Sequence, residues 1–254
     1  MKEPLLKERL QRNELVAGTM VFEFFSPGLA QIVRAAGADF VLYDMEHSGA
    51  DIETMKAQFA HCRGLPIAPW VRVPVNEYHF IARVLDAGAH GVMVPYVSTA
   101  AEARAAVQAM RYPPRGMRGV AKLTRASAFG ARFDEYFAHA HEWLVTLAQI
   151  ETVDAVENAQ EIAEVDGVDV VFVGPMDLTT SMGIPGQYGD ARFHDALGEV
   201  ADAAKRAGKA AGILLLDPAN LPLCRELGYT VVALGSDGGS VAAGLRESLS
   251  RLKQ

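Results

Sequence analysis

Asp44, Glu46 and His47 close one short apolar run within four positions. A carboxylate next to an imidazole fixes its tautomer and raises its basicity, which is what a general base requires, and both Asp44 and Glu46 precede His47. The competing reading of His47 is a helix-capping histidine. Arg72 ends the apolar stretch Ala68-Pro69-Trp70-Val71, where a guanidinium faces either an anion or oxyanion, or an internal carboxylate. Gln149 and Glu151 are two positions apart, so on a strand both point to the same side. Glu151 with Asp177 forms an oxygen-only pair that suits Mg²⁺ or Mn²⁺ better than structural zinc, if the two lie on adjacent strands about 4.8 Å apart. The alternative is one helix N-cap and one solvated rim charge. A buried Gln149 needs a polar partner, such as a water or a substrate at that site. Gly174-Pro175-Met176-Asp177 reads as the start of a loop whose backbone N–H groups cradle a carboxylate, or as a plain turn. Ser236-Asp237-Gly238-Gly239 reads as a helix start first and an anion site second, because Asp237 repels a phosphate.

These residues need a scaffold that brings them to one place, and the hydrophobic pattern predicts it. Strand-like runs fall at residues 15–22, 40–43, 68–73, 91–94, 144–150, 168–173, 211–215 and 230–234. Helical patterns fill the intervals at 28–36, 52–62, 78–86, 100–110, 153–165, 193–207, 218–227 and 241–252. Continuous Val/Ile/Leu runs are typical of parallel strands covered by helices. Eight such units in 254 residues point to a single α/β domain over 1–254, a (β/α)8 TIM barrel with its chemistry at the carboxyl ends of the strands. An open doubly wound sheet is the second choice, and neither GxGxxG nor GxxxxGK[ST] is present to support it. The longest departure from alternation, residues 111–142, holds a short helical pattern at 133–140, and a loop of this length is usually functional.

Composition narrows the partners. The net charge of −7, with basic residues scattered, argues against nucleic acid and anionic membrane surfaces and favours a small molecule. The start of the chain has no apolar signal region, and no run approaches the length of a membrane span. Cys62 and Cys224 are isolated, as thiols are in a reducing cytoplasm. Of the lysines, Lys2, Lys7, Lys56, Lys205, Lys209 and Lys253 fall at the terminus or on helical patterns and Lys122 in the long loop, so Schiff-base chemistry inside a barrel is poorly supported.

Five segments, Tyr43-Asp44-Met45-Glu46-His47, Val71-Arg72-Val73-Pro74, the run at 111–120, Gln149-Ile150-Glu151-Thr152 and Val173-Gly174-Pro175-Met176-Asp177-Leu178, resemble the HpcH/HpaI aldolase family in order and spacing. These are metal-dependent class II pyruvate aldolases of 4-hydroxy-2-oxoheptanedioate and 2-keto-3-deoxy sugar acid breakdown. The resemblance implies Glu151 and Asp177 as ligands of Mg²⁺, Mn²⁺ or Co²⁺, with Arg72 facing the enolate oxygen and His47, oriented by Asp44, acting as base through a water. It implies Gln149 beside the metal, backbone at Gly174 and Met176, with Pro175 between them, holding the pyruvate carboxylate, and Asp86 contributing across a subunit contact. The activity it implies is reversible cleavage of a 4-hydroxy-2-keto acid to pyruvate or hydroxypyruvate and an aldehyde. Alternatives are a Claisen-type lyase or synthase using oxaloacetate or an acyl-CoA, and a keto-acid-binding barrel without turnover. The family is oligomeric, commonly hexameric, and exchanges its last helix, for which Val241, Leu245, Leu249 and Leu252 form an apolar stripe.

Overall fold

The computed structural model describes residues 5–253, so the ends of the expected 1–254 domain, with Lys2, lie outside the described residues. The strands are β1 (Val16–Val21), β2 (Phe40–Asp44), β3 (Ala68–Arg72), β4 (Gly91–Val94), β5 (Val145–Ile150), β6 (Val170–Val173), β7 (Ala210–Leu215) and β8 (Tyr229–Ser236). All pair in parallel with their sequence neighbours, and β8 returns to β1, closing the barrel. Side chains alternate across the wall. Val16, Met20, Phe40, Leu42, Trp70, Met93, Leu147, Val170, Phe172 and Val231 fill the interior, and the opposite parity packs beneath the helices. Interior space is tight: a Cβ on Gly91 would lie 2.6 Å from the Trp70 ring, so glycine lets that indole cross to the next strand.

The helices follow the predicted order with instructive differences. The pattern at 153–165 forms two short helices, Val153–Glu157 and Ala159–Ala163, broken at Asn158, whose side-chain amide donates to the Ser98 carbonyl at 2.9 Å. A helix at Leu5–Gln11 was not anticipated. Leu6 and Leu10 pack into the interior cluster at the strand-start end of the barrel, and Lys7 Nζ donates to the Leu144 carbonyl at 2.7 Å and meets Asp169 at 3.0 Å. The long segment 111–142 follows the end of helix Ala100–Met110, and its last part belongs to helix Phe133–Trp143, which leads to the start of β5. It is therefore a helix-to-strand connection on the strand-start side, opposite the catalytic mouth of the same barrel. Among the described residues, no helix is long and apolar enough to cross a membrane.

Candidate active site

The mouth is built from the inward-facing last residues of β2, β3 and β5 and the turns that follow β4 and β6. Asp44 and Arg72 are register partners on adjacent strands, and Arg72 Nε donates to Asp44 Oδ1 at 2.5 Å. Both are buried, at 0% and 4% exposure, so this is a desolvated ion pair. Arg72 Nη1 also lies 2.9 Å from Glu46 Oε2, an ion pair by distance without hydrogen-bond alignment. The Asp44 carboxylate accepts from the backbone N–H groups of Glu46 at 3.3 Å and His47 at 2.7 Å. This corrects the expected dyad. Asp44 fixes the loop that carries His47, whereas the imidazole itself is exposed and its nearest carboxylate is Glu46, at 3.8 Å.

Across the mouth, Glu151 is 1% exposed and Gln149 is 2% exposed. Gln149 Nε2 donates to Glu151 Oε1 at 2.7 Å, leaving the buried Gln149 Oε1 with no partner. Tyr96, just past β4, donates its backbone N–H to Glu151 Oε2 at 3.0 Å and its hydroxyl to Asp177 Oδ1 at 3.2 Å. Burial pushes the Glu151 carboxyl up to about 8; the Tyr96 N–H opposes that rise, and the nearby Asp177 and Glu46 charges add to it. Burial likewise raises Glu46, against the pull of Arg72.

Gly174-Pro175-Met176-Asp177 is the start of helix Pro175–Ser181, with Gly174 as N-cap and proline in the first turn, and not the expected loop. That changes the donors on offer. The Gly174 N–H already donates to the Ile150 carbonyl at 3.1 Å and Pro175 has none, which leaves Met176 and Asp177 with N–H groups that have no carbonyl within the helix. What Gly174 supplies is space, because a Cβ there would lie 2.5 Å from Glu151 Oε1 and 2.8 Å from Gln149 Nε2.

Asp86 does not join the others within the chain. It sits near the end of helix Tyr78–Ala87, on the strand-start side, and accepts from Arg118 Nη2 at 2.6 Å. Arg118 is fully buried, its guanidinium stacked 4.6 Å from the Tyr112 ring centroid and 5.6 Å from that of Tyr136. A cavity of about 320 Å³ on that side, lined by Cys62, Pro69, His90, Arg125 and Trp143, is likewise remote from Glu151. The segment at 236–239 begins helix Asp237–Leu252, with the Ser236 hydroxyl capping the Gly239 N–H at 3.1 Å. Asp237 fills an anion nest itself, accepting from the successive N–H groups of Phe22, Glu23 and Phe24 at 3.1, 3.0 and 2.7 Å.

The donor set can be tested against a divalent cation. Among the described residues, no group of three or more His, Cys, Asp and Glu side chains is assembled to hold an ion. Two carboxylates tethered to one tyrosine, one of them raised by burial and like charge, with a buried amide oxygen beside them, fit an ion that keeps water or substrate in its remaining positions, as Mg²⁺ and Mn²⁺ do. The structure brings Glu151, Asp177, Gln149, Arg72 and Asp44, all named from the sequence, to one mouth. Tyr96, which carries no motif, was not singled out in the sequence, and its contacts with both carboxylates follow a left-handed backbone turn, φ 52°.

Comparison with known proteins shows the family and the fold. Residues 19–243 match the family described as HpcH/HpaI aldolase/citrate lyase. A hydroxypyruvate/pyruvate aldolase of Roseovarius nubinhibens is 40% identical over 249 residues, spanning 96% of this chain and 95% of that one. A 5-keto-4-deoxy-D-glucarate aldolase of Salmonella arizonae is 38% identical over 229 residues, 90% of this chain and 89% of that one. The crystal structure of an HpcH/HpaI aldolase/citrate lyase family protein from Burkholderia cenocepacia superposes with a TM-score of 0.93 at 34% identity, covering 99% of this chain and 100% of that one. With a match across most of its length, relatives at this identity and the same barrel, the chain belongs to the HpcH/HpaI aldolase/citrate lyase family.

Proposed function

We propose that the protein is a class II pyruvate aldolase, a carbon–carbon lyase that reversibly cleaves a 4-hydroxy-2-keto acid into pyruvate or hydroxypyruvate and an aldehyde. The observation that carries this reading is the division of the mouth. Glu151 and Asp177, linked through Tyr96, face one part of it, and a buried guanidinium held by Asp44 and Glu46 faces another. Glu151 and Asp177 would hold Mg²⁺, Mn²⁺ or Co²⁺, a Lewis acid that stabilises the electron pair released by the broken bond. Arg72, prevented from turning by its two carboxylates, presents positive charge to the enolate oxygen, a stabilisation that grows as the charge develops. The unpaired N–H groups of Met176 and Asp177 bind the 2-keto acid's carboxylate. His47, on a backbone fixed by Asp44 and with its imidazole open to solvent, takes the proton from the C4 hydroxyl through a water. The C3–C4 bond then breaks, the aldehyde leaves, and C3 of the enolate is reprotonated.

Relatives named as aldolases for pyruvate, hydroxypyruvate and 5-keto-4-deoxy-D-glucarate support the substrate class. Asp86, paired with Arg118 in its own chain, would reach an active site only across a subunit contact. The free, buried thiols of Cys62 and Cys224 suit a reducing cytoplasm. The test is a screen of 4-hydroxy-2-keto acids with pyruvate release as readout. Metal-loaded protein is expected to cleave at least one, Glu151→Ala and Asp177→Ala to lose metal-dependent turnover, and His47→Ala to lose cleavage more than pyruvate binding. Equal rates in all three variants would show the wrong site, and consumption of an acyl thioester without retro-aldol activity would favour the Claisen alternative.

A further inference from the structure

Tyr96 touches both of the carboxylates assigned to the ion, from two different atoms. Its backbone N–H donates to Glu151 Oε2 at 3.0 Å and its phenol to Asp177 Oδ1 at 3.2 Å. The left-handed φ of 52° is rarely adopted by a bulky side chain, and it turns this N–H out of the strand ladder toward Glu151. The next residue resumes the ladder, with the Val97 N–H donating to the Gln149 carbonyl at 3.1 Å. Beyond it, the Ser98 and Thr152 hydroxyls are 3.0 Å apart and Asn158 donates to the Ser98 carbonyl. The turn is therefore clamped to β5 and the helix after it, and Tyr96 is held in place between them.

Glu151 is buried and also held by Gln149, whereas Asp177 is half-buried on the first turn of a short helix. Among the described residues, the phenol is the side-chain donor that the structure gives Asp177. It engages Oδ1 and leaves Oδ2 available. Groups that hydrogen-bond a metal ligand orient it, and their loss typically weakens metal binding about 10- to 100-fold.

We infer that Tyr96 is a positioning residue of the metal site, setting the spacing and orientation of Glu151 and Asp177 through its main chain and its hydroxyl. This rests on the reading of those two carboxylates as metal ligands. The experiment is calorimetric titration of the full-length protein with Mn²⁺, for wild type, Tyr96→Phe and Tyr96→Gly, with thermal midpoints recorded alongside. Tyr96→Phe, which removes only the hydroxyl, is expected to weaken the Mn²⁺ Kd about tenfold at an unchanged thermal midpoint. Tyr96→Gly keeps the main-chain N–H, tolerates the positive φ and is expected to show a loss of similar size. In the retro-aldol assay, both variants should need more metal for half-maximal rate while kcat at saturating metal stays near wild type, a split that general damage to the fold would not produce. Tyr96→Phe binding Mn²⁺ within twofold of wild type would overturn the positioning role and leave the ligand assignment standing. Wild type that binds no Mn²⁺ would overturn both.

Discussion

At the scale of single residues, the site depends on close approaches that leave no slack. Gly174 is the clearest case, since its missing Cβ is what lets Glu151 and Gln149 come together against the end of β6. Gly174→Ala is expected to displace the Glu151 carboxylate, lower metal-dependent turnover by at least about 10²-fold, and change the far-ultraviolet circular dichroism little. Arg72→Lys keeps the charge but loses the fork that spans Asp44 and Glu46, so kcat should fall about 10²- to 10³-fold with a smaller change in KM. Steady-state kinetics check both. The residue types were legible in the sequence because ionisable groups stand out at the ends of apolar strands, whether they serve chemistry or an internal ion pair. Their pairings were less legible. Asp44 was expected against the His47 imidazole, yet it bonds the backbone of that loop and the Arg72 side chain, because strand register places Arg72 directly beside it.

At the scale of elements, the loops at the mouth are fixed by hydrogen bonds from elsewhere in the chain. Asp237, the first residue of the last helix, holds the turn after β1 through the N–H groups of Phe22, Glu23 and Phe24, and also accepts from the Gly238 N–H at 2.8 Å. Burial alone would raise this carboxyl, but the four donors outweigh it and hold it below its ordinary value of 3.8. A carboxyl lowered in the folded state contributes stability above its unfolded pKa, and that contribution is lost as pH falls through the folded value. Asp237→Asn is therefore expected to cost about 2 kcal/mol near neutral pH, and less as the pH falls below about 4, as read from urea unfolding midpoints across pH. Strands and most helices were readable because burial writes itself as periodicity. Helix Pro175–Ser181 was not, since it is a short helix whose first residues, Pro175, Met176 and Asp177, read equally well as a turn. The Leu5–Gln11 helix was hidden for a different reason: its charges dominate the pattern, although Leu6 and Leu10, four apart, pack into the interior cluster.

For the whole molecule, the barrel sorts its connections into two ends. Asp44, Arg72, Glu151 and Asp177 come together at the carboxyl ends, while Asp86, Arg118 and the segment 111–142 lie at the other. Sequence order alone could not show this, because the long segment reads as a functional loop until it is seen to connect a helix to the next strand. The last helix carries Val241, Leu245, Leu249 and Leu252 on its surface, at 48%, 58%, 51% and 81% exposure, an apolar stripe that its own barrel does not cover. The expected outcome is a homo-oligomer joined through this helix, with the double substitution Leu245→Arg and Leu249→Arg shifting the mass seen by light scattering toward the monomer. An unchanged mass in that variant would place the contact elsewhere.

The central claim is that Glu151 and Asp177 hold an ion at which the methyl carbon of a 2-keto acid becomes acidic. Proton NMR of pyruvate in D₂O with the Mg²⁺-loaded protein measures this without any knowledge of the aldehyde. The account predicts loss of the methyl signal to deuterium in wild type, abolition of that exchange by a chelator, and no exchange in Asp177→Ala. A methyl signal that persists with every divalent metal tried, or that exchanges equally in Asp177→Ala, would contradict it.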